Sequence, residues 1–138
     1  MRLDLYQAET ERLAREQAAM LDEAQSRLQA GKLLSPLEQG GILHAIQVLI
    51  ENAIGKAKHQ LKAADEPVPV SAYDAFASLA RIGVLSTGEL PQWNDVIGIR
   101  NRIVHDYMNI DMNVILGLVQ NGQYRFIAVF LRSPIKKS

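Results

Sequence analysis

Residues 35–63, SPLEQGGILHAIQVLIENAIGKAKHQLKA, set the fold class of this chain. They begin with a helix start written in full: Ser35 to cap, Pro36 in the first turn, and Glu38 three residues after the serine to close a capping box. Ile42, Leu43, Ile46, Leu49, Ile50, Ala53, Ile54, Ala57 and Leu61 then recur at the helical period on a wide apolar stripe. The spacing predicts one long helix to about Ala63. Lys56, Lys58 and Lys62 near its end read as a solvated basic face.

Helical patterns continue on both sides. Upstream, residues from about Leu3 to Ala30 are rich in Ala, Leu, Glu, Gln and Arg, all good helix formers. Leu13, Met20, Leu21, Ala24 and Leu28 form the apolar positions, and Gly31 is a natural stop. The more polar segment Gln7 to Arg12 is expected to project from the bundle or to meet a partner. Downstream, Asp65-Glu66-Pro67-Val68-Pro69 is a loop stiffened by proline. Ser71 caps a short third helix ending near Gly83. A turn through Ser86-Thr87-Gly88 leads into a fourth, with Trp93, Val96, Ile99 and Ile103 as core positions. Asn109 to Asp111 is a break, and a last helix is expected from Met112 to about Leu131. The tail from Arg132 to Ser138 is basic, proline-interrupted and expected to fray.

No repeat, linker or strand alternation divides the 138 residues. They predict one all-α domain over 1–138, an up-and-down bundle of about five helices with short connections. The chain has no cysteine, which excludes disulfides, a thiolate nucleophile and cysteine-bearing zinc sites. The charged N-terminus has no apolar signal core, and runs such as Val114 to Val119 are too short to span a bilayer. A soluble, cytoplasmic protein without membrane contact is the expectation. Fifteen basic and fifteen acidic residues cancel, so any nucleic acid must be met in a local cleft and not by a basic coat.

The fourth helix carries polar groups in a core setting: Gly98-Ile99-Arg100-Asn101-Arg102-Ile103-Val104-His105-Asp106-Tyr107. Arginine keeps its charge and grips phosphate with a planar fork of donors. Histidine, with an ordinary pKa near ~6.5, trades protons near neutrality. On a helix turning roughly 100° per residue, Asn94, Gly98, Asn101 and His105 share one stripe, suited to the floor of a cleft. Arg100 stands roughly 140° round from His105. The two meet at one phosphate only if the arginine reaches round, the helix loosens, or two copies of the chain contribute one group each across a two-fold axis. Tyr107 lies at the expected rim, and Asp106 either orients a base or sits in solvent. Arg102 reads as solvated or salt-bridged, and Trp93 and Tyr73 as core or interface anchors. His44 and His59 lack partners at ligand spacing, so no metal site is expected.

Arg100 to Tyr107 fits the pattern R-x4-H-x-Y and resembles the HepT-like toxins of the HEPN superfamily of helical ribonucleases. The flanking Gly-Ile-Arg-Asn, the helix order and the chain length agree with it. The resemblance implies a metal-independent endoribonuclease with no cofactor, dimerising through the motif-bearing helix so that both motifs face one cleft. It implies Arg100 and His105 as catalytic, Asn101 as supporting, and RNA as substrate. It also implies a nucleotidyltransferase antitoxin of the MNT type that silences the toxin by adenylylating Tyr107. RNA brings its own nucleophile, the 2′-hydroxyl, so the protein needs only proton transfer and charge stabilisation at phosphorus. Two readings without catalysis stand beside it: an adaptor bundle whose motif is structural, and a substrate-binding domain that works only beside a nucleotidyltransferase.

Overall fold

The computed structural model describes residues 2–135. Among them are six α-helices: α1 (Leu3–Gln29), α2 (Pro36–Ala63), α3 (Ala72–Arg81), α4 (Leu90–His105), α5 (Met112–Gln120) and α6 (Arg125–Arg132). Short 3-10 turns at Thr87–Glu89 and Tyr107–Asn109 bracket α4. No strand occurs among the described residues.

The start of α2 forms as its sequence dictates. The Glu38 amide donates to Ser35 Oγ at 3.1 Å, and the Ser35 amide donates back to Glu38 Oε1 at 2.9 Å. Ser71 caps α3 through the Asp74 amide, and Asp111 caps α5 through the Asn113 amide. α2 is the axis of the core: Leu49, Ile50, Ala53, Ala57 and Leu61 are sealed from solvent. It touches α1, α3, α4 and α6. Trp93 of α4 locks the far side, stacked on Phe76 with ring centroids 4.3 Å apart and edge-on to Phe126 and Phe130. Burying each such ring contributes about 1.5–3 kcal/mol.

Three expectations change. The last helix is two, because Gly122 adopts a left-handed φ of +68° and turns the chain between α5 and α6. The polar segment Gln7 to Arg12 does not project: Thr10 is buried and Gln7 donates to the Leu131 carbonyl at 3.0 Å, docking α1 on α6. Lys56 is not solvated but fully buried. Of the predicted tail, Arg132 still belongs to α6 and residues 133–135 leave the helix, while Lys136 to Ser138 lie outside the described residues.

No single described helix is long and apolar enough to cross a membrane; α5 and α6 pass that test only together, across a 63° bend. Their buried residues, among them Ile115, Val119, Ile127 and Leu131, belong to the bundle core.

α4 packs on α2 and α3, whereas α5 packs on α1 and α6 packs on α1 and α2. The two groups splay apart along one side of α4. That opening runs beside α4.

Candidate active site on the fourth helix

α4 keeps its helical hydrogen bonding from Leu90 through His105, with Pro91 in its first turn. The helix does not loosen near Gly98, which removes one of the three ways for Arg100 and His105 to meet. Arg100 turns toward α2, where its Nε stands 3.4 Å from Glu51 Oε1. The arginine side chain is 19% exposed and the glutamate 44%. That Nε is buried and finds no aligned hydrogen-bond acceptor, so the pair is held by charge alone.

His105 is the last residue of α4 and is exposed. Its side chain makes no hydrogen bond, ion pair or ring contact among the described residues. Asn101, half-buried one helical turn earlier, is likewise without a side-chain hydrogen bond. The chain then leaves the helix: the Asp106 amide still donates to the Arg102 carbonyl at 2.8 Å, but Asp106 itself has φ −146° and ψ 43°. The Asp106 carboxylate accepts from Asn109 Nδ2 at 2.7 Å, so it braces the 3-10 turn and does not orient His105. Tyr107 and Met108 stand out from that turn, 57% and 91% exposed.

The opening beside α4 is a groove of about 590 Å³ walled by α4 on one side and by α5 and α6 on the other. Asn94 and Gly98 line it, as the stripe predicts, together with Ile99, Ile103, Val114 and Phe126. Asn101 and His105 do not. Arg102, read as a solvated residue, takes the place they were expected to hold. Gly98 is approached from the opposite side by Tyr73: a Cβ on it would stand 3.7 Å from the Tyr73 hydroxyl, an ordinary contact. The motif side chains thus occupy two faces of one rigid helix, Arg100 toward α2 and His105 at the open end.

Glu51 was missed from sequence. It interrupts the apolar stripe of α2 directly after Ile50, a position that reads as solvated unless the packing of α2 on α4 is known. No group of three or more histidine, aspartate or glutamate side chains among the described residues is arranged to hold a metal. His59 instead packs on the Tyr6 ring, centroids 4.3 Å apart, and burial followed by the nearby Lys62 charge pushes its pKa down.

Comparison with known proteins agrees with this architecture. The family profile described as Ribonuclease HepT-like matches residues 14–133. The mRNA nuclease HepT of Shewanella oneidensis is 25% identical over 83 residues, which cover 60% of this chain and 62% of that protein. Two solved structures share the fold. A toxin–antitoxin crystal structure with AMP-PNP superposes with a TM-score of 0.74 at 16% identity, covering 91% of this chain and 96% of that one. The tri-AMPylated Shewanella oneidensis HEPN toxin in complex with MNT antitoxin superposes with a TM-score of 0.65 at 20% identity, covering 87% and 96%. With the family profile spanning all six helices but the start of α1, the chain belongs to the Ribonuclease HepT-like family.

Proposed function

We propose that this protein is a metal-independent endoribonuclease toxin of a toxin–antitoxin system, acting in the cytoplasm as a homodimer that joins two α4 helices around one cleft. The observation that carries the reading is the unused hydrogen-bonding capacity of the motif. Arg100, paired by charge with Glu51, and Asn101, His105 and Tyr107 make no side-chain hydrogen bond within the described chain, although they sit on and just beyond a well-formed helix. Donors and acceptors that the fold leaves unused are available to a substrate.

In this reading the RNA 2′-oxygen attacks phosphorus as a His105 imidazole takes its proton. The imidazolium so formed returns that proton to the departing 5′-oxygen, leaving a 2′,3′-cyclic phosphate and a 5′-hydroxyl. Arg100 holds the non-bridging oxygens as negative charge builds. Asn101 supports the phosphate from the same helix. Because Arg100 and His105 diverge on an unbroken helix, one copy supplies the arginine and the other the histidine. The exposed apolar surface of Val104, Tyr107 and Met108 beside the motif suits such an interface.

Silencing follows from the position of Tyr107. The exposed phenol is accessible to an MNT-type nucleotidyltransferase antitoxin, and an adenylyl group there would fill the cleft with bulk and negative charge that repel RNA. The tri-AMPylated Shewanella toxin in complex with its MNT antitoxin supports this part of the reading.

The test is to incubate purified protein with RNA in EDTA. Wild type is expected to cleave, and Arg100→Ala and His105→Ala to lose at least about 100-fold in rate. Cleavage by both variants at the wild-type rate would overturn the site. A wild type that never cuts RNA yet binds the nucleotidyltransferase tightly would favour the adaptor reading instead.

A further inference from the structure

We propose that Glu51 is the positioning residue that aims Arg100 at the scissile phosphate, an inference that rests on the ribonuclease reading above. Four observations bear on it. Glu51 comes from α2, whose apolar face is the axis of the core, so its backbone is fixed by that packing. Its carboxylate lies beside one edge of the guanidinium, 3.4 Å from Nε. That Nε is buried, whereas the two terminal nitrogens, also without a hydrogen bond, keep contact with solvent. And no other acidic side chain among the described residues pairs with Arg100.

The chemistry of the guanidinium explains what this arrangement does. Its five donors lie in one plane, and two terminal N–H bonds, one from each terminal nitrogen, match a pair of phosphate oxygens. An arginine with nothing at Nε swings about its flexible stem, and its fork then faces the phosphate in a small fraction of conformers. A carboxylate beside the Nε edge attracts that edge toward α2 and leaves the terminal pair on the solvent side. A half-exposed ion pair adds little to stability, so folding alone does not account for a glutamate placed here. Its second effect has the opposite sign. The Glu51 charge stands near the incoming phosphate and weakens RNA binding, so the residue favours turnover at some expense of affinity.

This predicts a split that a purely structural residue does not give. Glu51→Ala is expected to lower kcat about 10- to 100-fold through misdirected approach, while KM stays constant or falls. Glu51→Gln removes the charge that holds Arg100 and is expected to lose kcat much as Glu51→Ala does, again without a rise in KM. A readout without RNA accompanies these assays: the Arg100 Nε–H signal in nitrogen-15 NMR. It is expected to be protected from exchange in wild type, where Nε is held buried, and to exchange freely in Glu51→Ala and Glu51→Gln. If wild type fails to cut RNA, the ribonuclease reading falls, and the NMR comparison still decides whether Glu51 holds Arg100. If Glu51→Ala keeps wild-type kcat, or leaves Arg100 Nε–H protected, the positioning role is overturned. A thermal midpoint that drops with kcat per folded molecule unchanged would mark Glu51 as structural and overturn it equally.

Discussion

The Lys56 ammonium donates to the Phe130 carbonyl at 2.6 Å, joining the C-terminal third of α2 to the end of α6. It donates as well to the Leu131 carbonyl at 3.2 Å and to the Ser133 carbonyl, and stands 5.2 Å from the Phe130 ring centroid. A helix leaves its last carbonyls unpaired, and its C-terminus attracts cations; Lys56 answers both needs from inside the core. Lys56→Met keeps the length of the side chain and removes the donors. Unfolding in urea at neutral pH is expected to show a loss of about 1–3 kcal/mol. An unchanged midpoint would mean that the α6 carbonyls find other donors.

The same lysine gives a pH signature. Burial pushes its pKa from 10.5 down to about 8, with the Glu11 charge pulling weakly upward. Between those two values the folded chain has released a proton that the unfolded chain still holds. Unfolding free energy therefore rises with pH across that window, and the charged, buried form is disfavoured most below it. Wild type minus Lys56→Met, measured from pH 7.5 to 10, is expected to show this positive slope. A flat difference would place Lys56 at its ordinary value.

Local signals and long-range packing explain what could be read beforehand. The start of α2 was legible because a capping box is complete within four residues, and the apolar stripe behind it needs no knowledge of partners. The α4 motif was legible for the same reason, since its spacing alone separates Arg100 from His105. Lys56 was not, because it falls between Ala53 and Gln60 on the core side of α2 only to meet carbonyls more than seventy residues away. Glu51 was hidden likewise, its meaning depending on how α2 lies against α4. The α5–α6 turn did have a local signal, Asn121-Gly122, but the apolar residues on both sides carried the helical period across it.

That turn is testable. At Gly122 a Cβ would stand 3.1 Å from Arg125 Nη1 and 3.3 Å from Gln25 Nε2, at a φ of +68°. Gly83 has a φ of +84° with nothing within 4 Å. Alanine at either position carries the left-handed penalty of about 1–2 kcal/mol. Only Gly122→Ala must also displace the Gln25 side chain, which donates to the Gln120 carbonyl at 3.1 Å. Thermal unfolding should rank Gly122→Ala below Gly83→Ala, and the reverse order would contradict the crowding.

Gly98 separates stability from activity. Within one chain its Cβ would meet only the Tyr73 hydroxyl at an ordinary distance, so Gly98→Ala is expected to stabilise α4 by about 0.5–1 kcal/mol. The added methyl points at Tyr73 and away from the groove, so it leaves the cleft open. A higher melting temperature with unchanged RNA cleavage is the expected pair of results. Slower cleavage by the stabilised variant would contradict that direction.

The divergence of Arg100 and His105 makes the sharpest prediction, because it distinguishes a site shared between copies from one contained in each. Arg100→Ala and His105→Ala are each expected to be inactive alone. Mixed and allowed to exchange subunits, half of the dimers would carry one variant of each kind. In a shared arrangement such a dimer assembles one site with intact Arg100 and His105 and one site lacking both. Activity should then return to about a quarter of the wild-type value at equal total protein. In a self-contained arrangement every site keeps one defect, and mixing restores nothing. Arg100 would then have to swing away from Glu51 and round the helix to reach the histidine of its own chain, and Glu51→Ala would speed cleavage instead of slowing it.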